Sequence, residues 1–177
     1  MLDTLISSKT RIKLLLKFFL NSNTTAYLRG LEGEFGESTN AIRLELNKLE
    51  KAGMLSSFSN GNKKMFRANT QHPLFKEIHN ILLKQIGLDQ IIEKVVERLG
   101  NIQSVYLVGD FSRGLDSQVV DLIFIGDIDQ AYLIQLISKV EDLIKRKVRY
   151  LIYEGSEADR FDLTKYQPEP LLLWSAE

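Results

Sequence analysis

Apolar residues recur at helical spacing over the first fifty positions, and this pattern predicts three helices. The first helix has its apolar residues between positions 12 and 19. The second is expected over residues 26–35 and is followed by a turn that contains glycine. Ser38 is a suitable cap for the third helix, which runs to about residue 52 and stops at Gly53. The pattern therefore predicts a small, largely helical domain.

A strand pattern follows the third helix. Residues 54–58 and 63–68 predict two short strands, and the Asn-Gly-Asn segment at 60–62 is typical of a tight hairpin turn. Two helices joined by a short turn and followed by a β-hairpin indicate a helix-turn-helix arrangement with the hairpin beside the second of the two helices.

The third helix combines an apolar face with a separate polar face. Asn40, Arg43 and Asn47 lie at positions i, i+3 and i+7, so they share one side of the helix. The run NAIRLELNKLEKAGMLSS at 40–57 resembles the arsenical-repressor and MarR-type winged-helix families, and the resemblance extends over about residues 5–70.

The resemblance implies that this segment is a winged helix-turn-helix domain that binds double-stranded DNA. The residues expected to face the major groove are Ser38, Thr39, Asn40, Arg43 and Asn47. The residues expected to contact phosphates are Lys63, Lys64 and Arg67. Arginine and asparagine suit bidentate contacts with guanine and adenine, whereas phosphate contacts carry no sequence information. A winged helix can also serve only as a protein interaction module, and this alternative stays open.

Charge is unevenly distributed along a chain whose formal net charge is zero. Residues 1–70 contain 11 basic and 6 acidic side chains, and the remaining residues contain 12 and 17. A basic segment beside an acidic one is a weak indication that the basic segment contacts nucleic acid.

The composition excludes several kinds of chemistry. The chain has no cysteine, so it has no disulfides, thiolate metal sites or cysteine nucleophiles. The apolar run at 14–20 is too short to span a bilayer and lacks a signal-cleavage pattern, so we interpret it as a core helix. A cytoplasmic protein without membrane contact is expected.

A helical connector is predicted between the basic and acidic segments. Pro73 is expected at the start of a helix that continues to about residue 86, and Gly87 separates it from a second amphipathic helix over 88–99. The apolar surface of these helices can form the seam of a homodimer.

The stretch Ser104 to Ile125, SVYLVGDFSRGLDSQVVDLIFI, predicts a strand, a glycine turn, a short helix and a second strand that carries one acid. This order resembles the nucleotidyltransferase superfamily of polymerase-beta type in its minimal form. The resemblance implies a small α/β domain over 101–177 with a mixed sheet of three or more strands. A helix over 128–145 and a strand over 148–153 complete this prediction.

The family's chemistry is incomplete in this chain. The family uses a Gly-Ser turn for the nucleotide phosphates and paired carboxylates on one strand for two Mg²⁺ ions. Here an aspartate follows the glycine, and Val119 stands where the first paired acid would be. The next strand has Arg149 and Tyr150 where a further acid is needed. The retained positions form a degenerate nucleotide site of Gly109, Asp110, Arg113, Gly114 and Asp121. We therefore expect no catalytic residue, no metal and no cofactor.

Other residues of this domain have simpler interpretations. Asp110 can cap the turn amides itself, and Arg113 either binds an anion or forms a structural ion pair. Asp116 is the acid that can turn toward Asp121, whereas Asp129 is expected to cap the following helix. The apolar tail at 171–174 is expected to pack on this domain or on a second subunit.

Together these patterns predict an α/β protein of two domains. Residues 1–72 form the winged helix-turn-helix, 73–100 the helical connector and 101–177 the inactive nucleotidyltransferase-like domain. The predicted function is a dimeric, DNA-binding transcriptional regulator whose C-terminal domain serves in dimerisation, in sensing a small-molecule effector or in binding a protein partner. The alternatives are a Mg²⁺-dependent nucleotidyltransferase and a protein interaction module.

Overall fold

The computed structural model describes residues 2–166 and 169–176, apart from the side chains of 158–160. The chain divides into two compact units, residues 1–85 and 86–177. This division passes through the end of a helix in the segment that the sequence predicts as a connector. Each unit has its own sheet and its own apolar core.

The N-terminal unit is built from five helices and three strands among its described residues. In chain order these elements are α1 (Leu2–Leu5), α2 (Lys9–Leu15, continued by a π-helical turn over Leu16–Leu20), β1 (Ala26–Tyr27), α3 (Leu28–Phe35), α4 (Thr39–Lys51), β2 (Leu55–Asn60), β3 (Lys63–Ala68) and α5 (Phe75–Ile86). The three strands form an antiparallel sheet in the order β1-β3-β2.

Two predicted helix starts are corrected in this unit. The helix expected from residue 26 begins at Leu28, because the backbone of Ala26 and Tyr27 is extended and pairs with β3. The helix expected from Pro73 begins at Phe75, and Pro73 lies in the preceding turn. In both places a longer-range contact or a local turn overrides the helical spacing of the sequence.

The hairpin agrees with its prediction. Asn60 pairs with Lys63, so the loop consists of two residues, Gly61 and Asn62. Gly61 has a φ of +58°, a conformation that glycine adopts without steric cost. The hairpin therefore follows α4 directly, as expected.

The C-terminal unit has its elements in a second order. They are α6 (Leu88–Ile91, continued by a π-helical turn over Ile92–Val96), α7 (Glu97–Leu99), β4 (Ile102–Val108), α8 (Gly109–Ser112), β5 (Val119–Gly126), α9 (Gln130–Ile144), β6 (Lys147–Tyr153), two short 3₁₀ turns (Gly155–Arg160 and Leu163–Lys165) and β7 (Leu171–Ser175).

The second sheet is mixed and has four strands in the order β6-β5-β4-β7. β5 runs parallel to β6 and antiparallel to β4, and β7 adds antiparallel to β4 at the other edge. The tail expected to pack on this domain does so as a strand. The prediction of an α/β fold with two sheets, one of them mixed with three or more strands, is confirmed.

Helix α9 covers one face of this sheet with a different apolar stripe from the one expected. Leu133, Leu136, Ile137 and Val140 are buried, but Ile134 is 58% exposed. The residue was assigned to the core because isoleucine is apolar, yet it lies on the opposite side of the helix from Ile137 and Val140. Among the described residues, no helix combines the length and apolar character needed to cross a bilayer.

Candidate functional sites

The outward face of α4 presents the polar residues that the sequence singled out. Asn40, Arg43 and Asn47 are exposed, while Ile42 and Leu46 on the other side are buried. Leu44 is 52% exposed between them, an apolar side chain among polar ones. The helix thus offers one side to solvent and the other to the core.

Two residues predicted for this surface have other contacts. The Ser38 Oγ accepts a hydrogen bond from the Ala41 N–H at 3.2 Å, so this oxygen caps α4. Thr39, the first residue of the helix, is half-buried. Asn40, Arg43 and Asn47 are therefore the most accessible of the five predicted groove-facing residues.

A buried carboxylate fixes the position of α4. Glu45 is 7% exposed, and its oxygens accept hydrogen bonds from Arg11 Nε at 2.7 Å and Lys48 Nζ at 3.3 Å. Burial acts to raise the pKa of Glu45, but these hydrogen bonds outweigh it and hold the pKa below its usual value. Glu45 is thus ionised and paired at neutral pH, and it connects α4 to α2.

The three hairpin cations differ in their surroundings. Lys63 Nζ lies 4.2 Å from the centre of the Tyr27 ring. Lys64 forms an ion pair with Glu50 at 2.7 Å, and this hydrogen bond lowers the pKa of Glu50. Arg67 lies over the ring of Phe58 at 5.4 Å. Lys63 and Arg67 therefore keep an uncompensated positive charge, while much of the charge of Lys64 is offset by Glu50.

An open cleft of about 610 Å³ lies between α4, the start of α3 and the hairpin. Four cations line it, and no acidic residue does: Arg29, Arg43, Lys63 and Lys64. Asn47 and Asn62 add amide groups to the same lining. The cleft is a positively charged groove of the kind that attracts a polyanion.

Arg29 is a member of this cleft that the sequence prediction missed. It is exposed on the first turn of α3, on a helix that carried no polar stripe in the sequence. Its place beside the hairpin depends on the pairing of β1 with β3, which brings the start of α3 to Lys63. No local signal reports a pairing that spans about forty residues of chain.

In the C-terminal unit, the turn after β4 brings Gly109 against Asp121. Gly109 has a φ of +68°, and a Cβ placed on it would overlap the Asp121 Oδ2 and lie 3.0 Å from Cγ. Ser112 Oγ donates a hydrogen bond to the Gly109 carbonyl at 2.8 Å and closes the short α8 turn. Gly114, with a φ of +74°, ends it. Only glycine fits at position 109 without displacing the carboxylate.

Asp121 is paired with Arg149 across the sheet. The parallel register of β5 and β6 sets the two residues opposite each other, and Arg149 Nε contacts Asp121 Oδ1. The hydrogen bond with Asp121 raises the pKa of Arg149, with a smaller contribution from Asp110. A guanidinium therefore holds the one carboxylate that the degenerate site retains on its strands.

The other aspartates of this unit do not complete a metal site. Asp116 pairs with Arg146 at 2.9 Å rather than with Asp121. Asp127 Oδ1 accepts a hydrogen bond from the Gly155 N–H at 3.1 Å. Asp129 caps α9 by accepting from the Tyr132 N–H at 3.1 Å, as expected. The expectation that Asp110 caps the turn is wrong, because Val108 is the cap residue of α8 and Asp110 is exposed within the first turn.

These residues do not fit the two Mg²⁺ ions that the family resemblance implies. One oxygen of Asp121 is bound by Arg149 and the other abuts Gly109, so neither is directed at a free coordination position. Val119 cannot ligate a metal, and in the described part of the chain no three acidic or histidine side chains converge. The geometry does not support two-metal phosphoryl transfer.

No protein-family model matches the chain, and no curated protein matches it. Among solved structures, the chain is similar to the crystal structure of a Sulfolobus solfataricus protein provisionally described as a nucleotidyltransferase. The two have 23% sequence identity, 54% of this chain and 82% of that chain are covered, and the TM-score is 0.34. The description names the same class of protein as the resemblance over 101–177, but a TM-score of this size does not assign an activity to the chain.

Proposed function

We propose that the chain is a DNA-binding transcriptional regulator whose N-terminal unit acts as a winged helix-turn-helix. The observation that carries this proposal is the positively charged cleft between α4 and the hairpin. In the proposed complex, α4 enters the major groove, and the hairpin is the wing that lies along the sugar-phosphate backbone.

The distribution of side chains supports separate roles for the two elements. Arg43 and Asn47 are exposed on α4, and both suit bidentate contacts with base edges. Lys63 and Arg29 lie in the same cleft and suit contacts with phosphates, which position the protein without reading sequence. Leu44 adds an exposed apolar group that suits contact with a thymine methyl.

The C-terminal unit is proposed to regulate rather than to catalyse. The pairing of Asp121 with Arg149 argues against the Mg²⁺-dependent nucleotidyltransferase alternative, because it occupies the carboxylate that the reaction needs. Dimerisation, effector sensing or partner binding are the roles left to this unit. A homodimer on a two-fold operator in the cytoplasm is the arrangement that best suits a small regulator of this kind.

Exchange of the base-reading residues tests this function. Arg43→Ala and Asn47→Ala are each expected to relax the sequence preference by about 1–3 kcal/mol of discrimination at the base pairs they contact. The measurement is selection of bound sequences from a random duplex pool by the full chain and by each variant, followed by affinity measurements on the selected site and on its single-base changes.

Lys76→Ala is the matched control, since Lys76 is exposed on α5 and lies outside both the cleft and the α4 face. It should select the same sequences as the unaltered chain. Identical selections by all four proteins would show that α4 does not read bases. Failure of the unaltered chain to enrich any sequence would favour the interaction-module alternative.

A further inference from the structure

We propose that the C-terminal unit binds a small organic monoanion with an apolar body, without a metal ion, in the pocket beside Gly109 and Asp121. The pocket has a volume of about 390 Å³ and is open to solvent. This volume suits a small-molecule ligand. The proposal does not depend on DNA binding by the other unit.

Arg113 supplies the group that would hold the anion. Its side chain is exposed and lines the pocket, and its guanidinium makes no ion pair and no hydrogen bond within the described residues. The nearby Arg146 and Arg149 both have carboxylate partners. The structural ion pair that the sequence left open for Arg113 is therefore absent from the described part of the unit, while the anion-binding alternative stands.

The charge of the pocket selects among anions. Its lining contains two guanidinium groups and one carboxylate, which leaves one formal positive charge, and Asp110 adds a negative charge close to Arg149. A carboxylate with one charge matches this balance. A nucleoside triphosphate does not, because its charge exceeds that of the pocket several-fold and no metal site offsets the difference.

Apolar groups form the rest of the lining. Leu151 is 56% exposed there, an unusual state for a leucine on a strand, and Val108, Tyr150 and Tyr166 lie around it. Burial, and then the hydrogen bond with Tyr153, raise the pKa of Tyr166 to about 12, so its phenol stays neutral. A ligand with an alkyl or aromatic body would cover this surface while its carboxylate meets Arg113.

The test uses the full chain and a series of carboxylates in the presence of EDTA. Isothermal titration with acetate, butanoate, hexanoate, benzoate and the neutral benzamide measures both parts of the proposal. Affinity is expected to rise by about threefold for each added CH₂ group. Benzoate should bind and benzamide should bind at least tenfold more weakly, because it lacks the charge that Arg113 pairs with.

Variants place the binding at Arg113. Arg113→Ala should weaken benzoate and hexanoate binding by about ten- to hundredfold, and Arg113→Lys should restore part of it. Arg98→Ala is the matched control, since Arg98 is an exposed arginine of the same unit that does not line the pocket, and it should bind like the unaltered chain. Binding by no carboxylate, binding unchanged by Arg113→Ala, or tight binding only of ATP with Mg²⁺ would each overturn the proposal.

Discussion

Replacing Arg29 and Lys63 with alanine together is expected to lower the affinity for duplex DNA by about ten- to hundredfold at low salt. The expected reason is the loss of two phosphate contacts from the cleft. Each contact releases about 0.9 counterion from duplex DNA, so the slope of log affinity against log salt should become shallower by about 2. The measurement is a fluorescence anisotropy titration of labelled duplex over a salt series.

The control for this variant removes the same charge elsewhere. Lys76 and Lys84 are exposed on α5, outside the cleft, and their double replacement by alanine should leave the salt slope unchanged. Lys64→Ala should have a smaller effect than Lys63→Ala, because Glu50 already offsets the charge of Lys64. Equal slopes for the two double variants would place DNA outside the cleft.

Gly109→Ala is expected to destabilise the C-terminal unit by about 2–4 kcal/mol. Alanine at a φ of +68° carries backbone strain, and its Cβ would displace Asp121 and disturb the pair with Arg149. Urea unfolding followed by the fluorescence of Trp174 reports this unit, because Trp174 is the only tryptophan and lies on β7.

Gly100→Ala separates backbone strain from crowding. Gly100 has a φ of +77°, close to that of Gly109, but a Cβ placed on it meets no atom within 4 Å. Its replacement should cost only about 1–2 kcal/mol of backbone strain. In an Asp121→Ala background, the cost of Gly109→Ala should fall to this level. An equal cost for both glycines in the unaltered chain would contradict the close packing of Gly109 on Asp121.

Local patterns in the sequence predicted the elements whose causes are local. The Ser38 cap, the stop at Gly53 and the hairpin around Gly61 depend on neighbours within a few residues, and each is found where expected. Asp129 and Asp110 show the limit of the same rule. Asp129 precedes its helix and caps it, whereas Asp110 lies inside the first turn and cannot.

Contacts between distant segments could not be read from the sequence. The pairing of Asp121 with Arg149 depends on the register of two parallel strands joined through α9, and the sequence identified both residues but not their contact. β1 has only two residues, too few for a periodic signal, yet it shifts the start of α3 and brings Arg29 to the cleft. The candidate cleft and pocket are both products of such long-range pairings.

The most direct test of the account is the binding of the unaltered full chain to fragmented DNA from the genome that encodes it, followed across a salt series. The account predicts that a few fragments are recovered repeatedly and that their affinity falls steeply as salt rises. Recovery of no fragment at low salt would contradict DNA binding by the cleft and by the exposed face of α4.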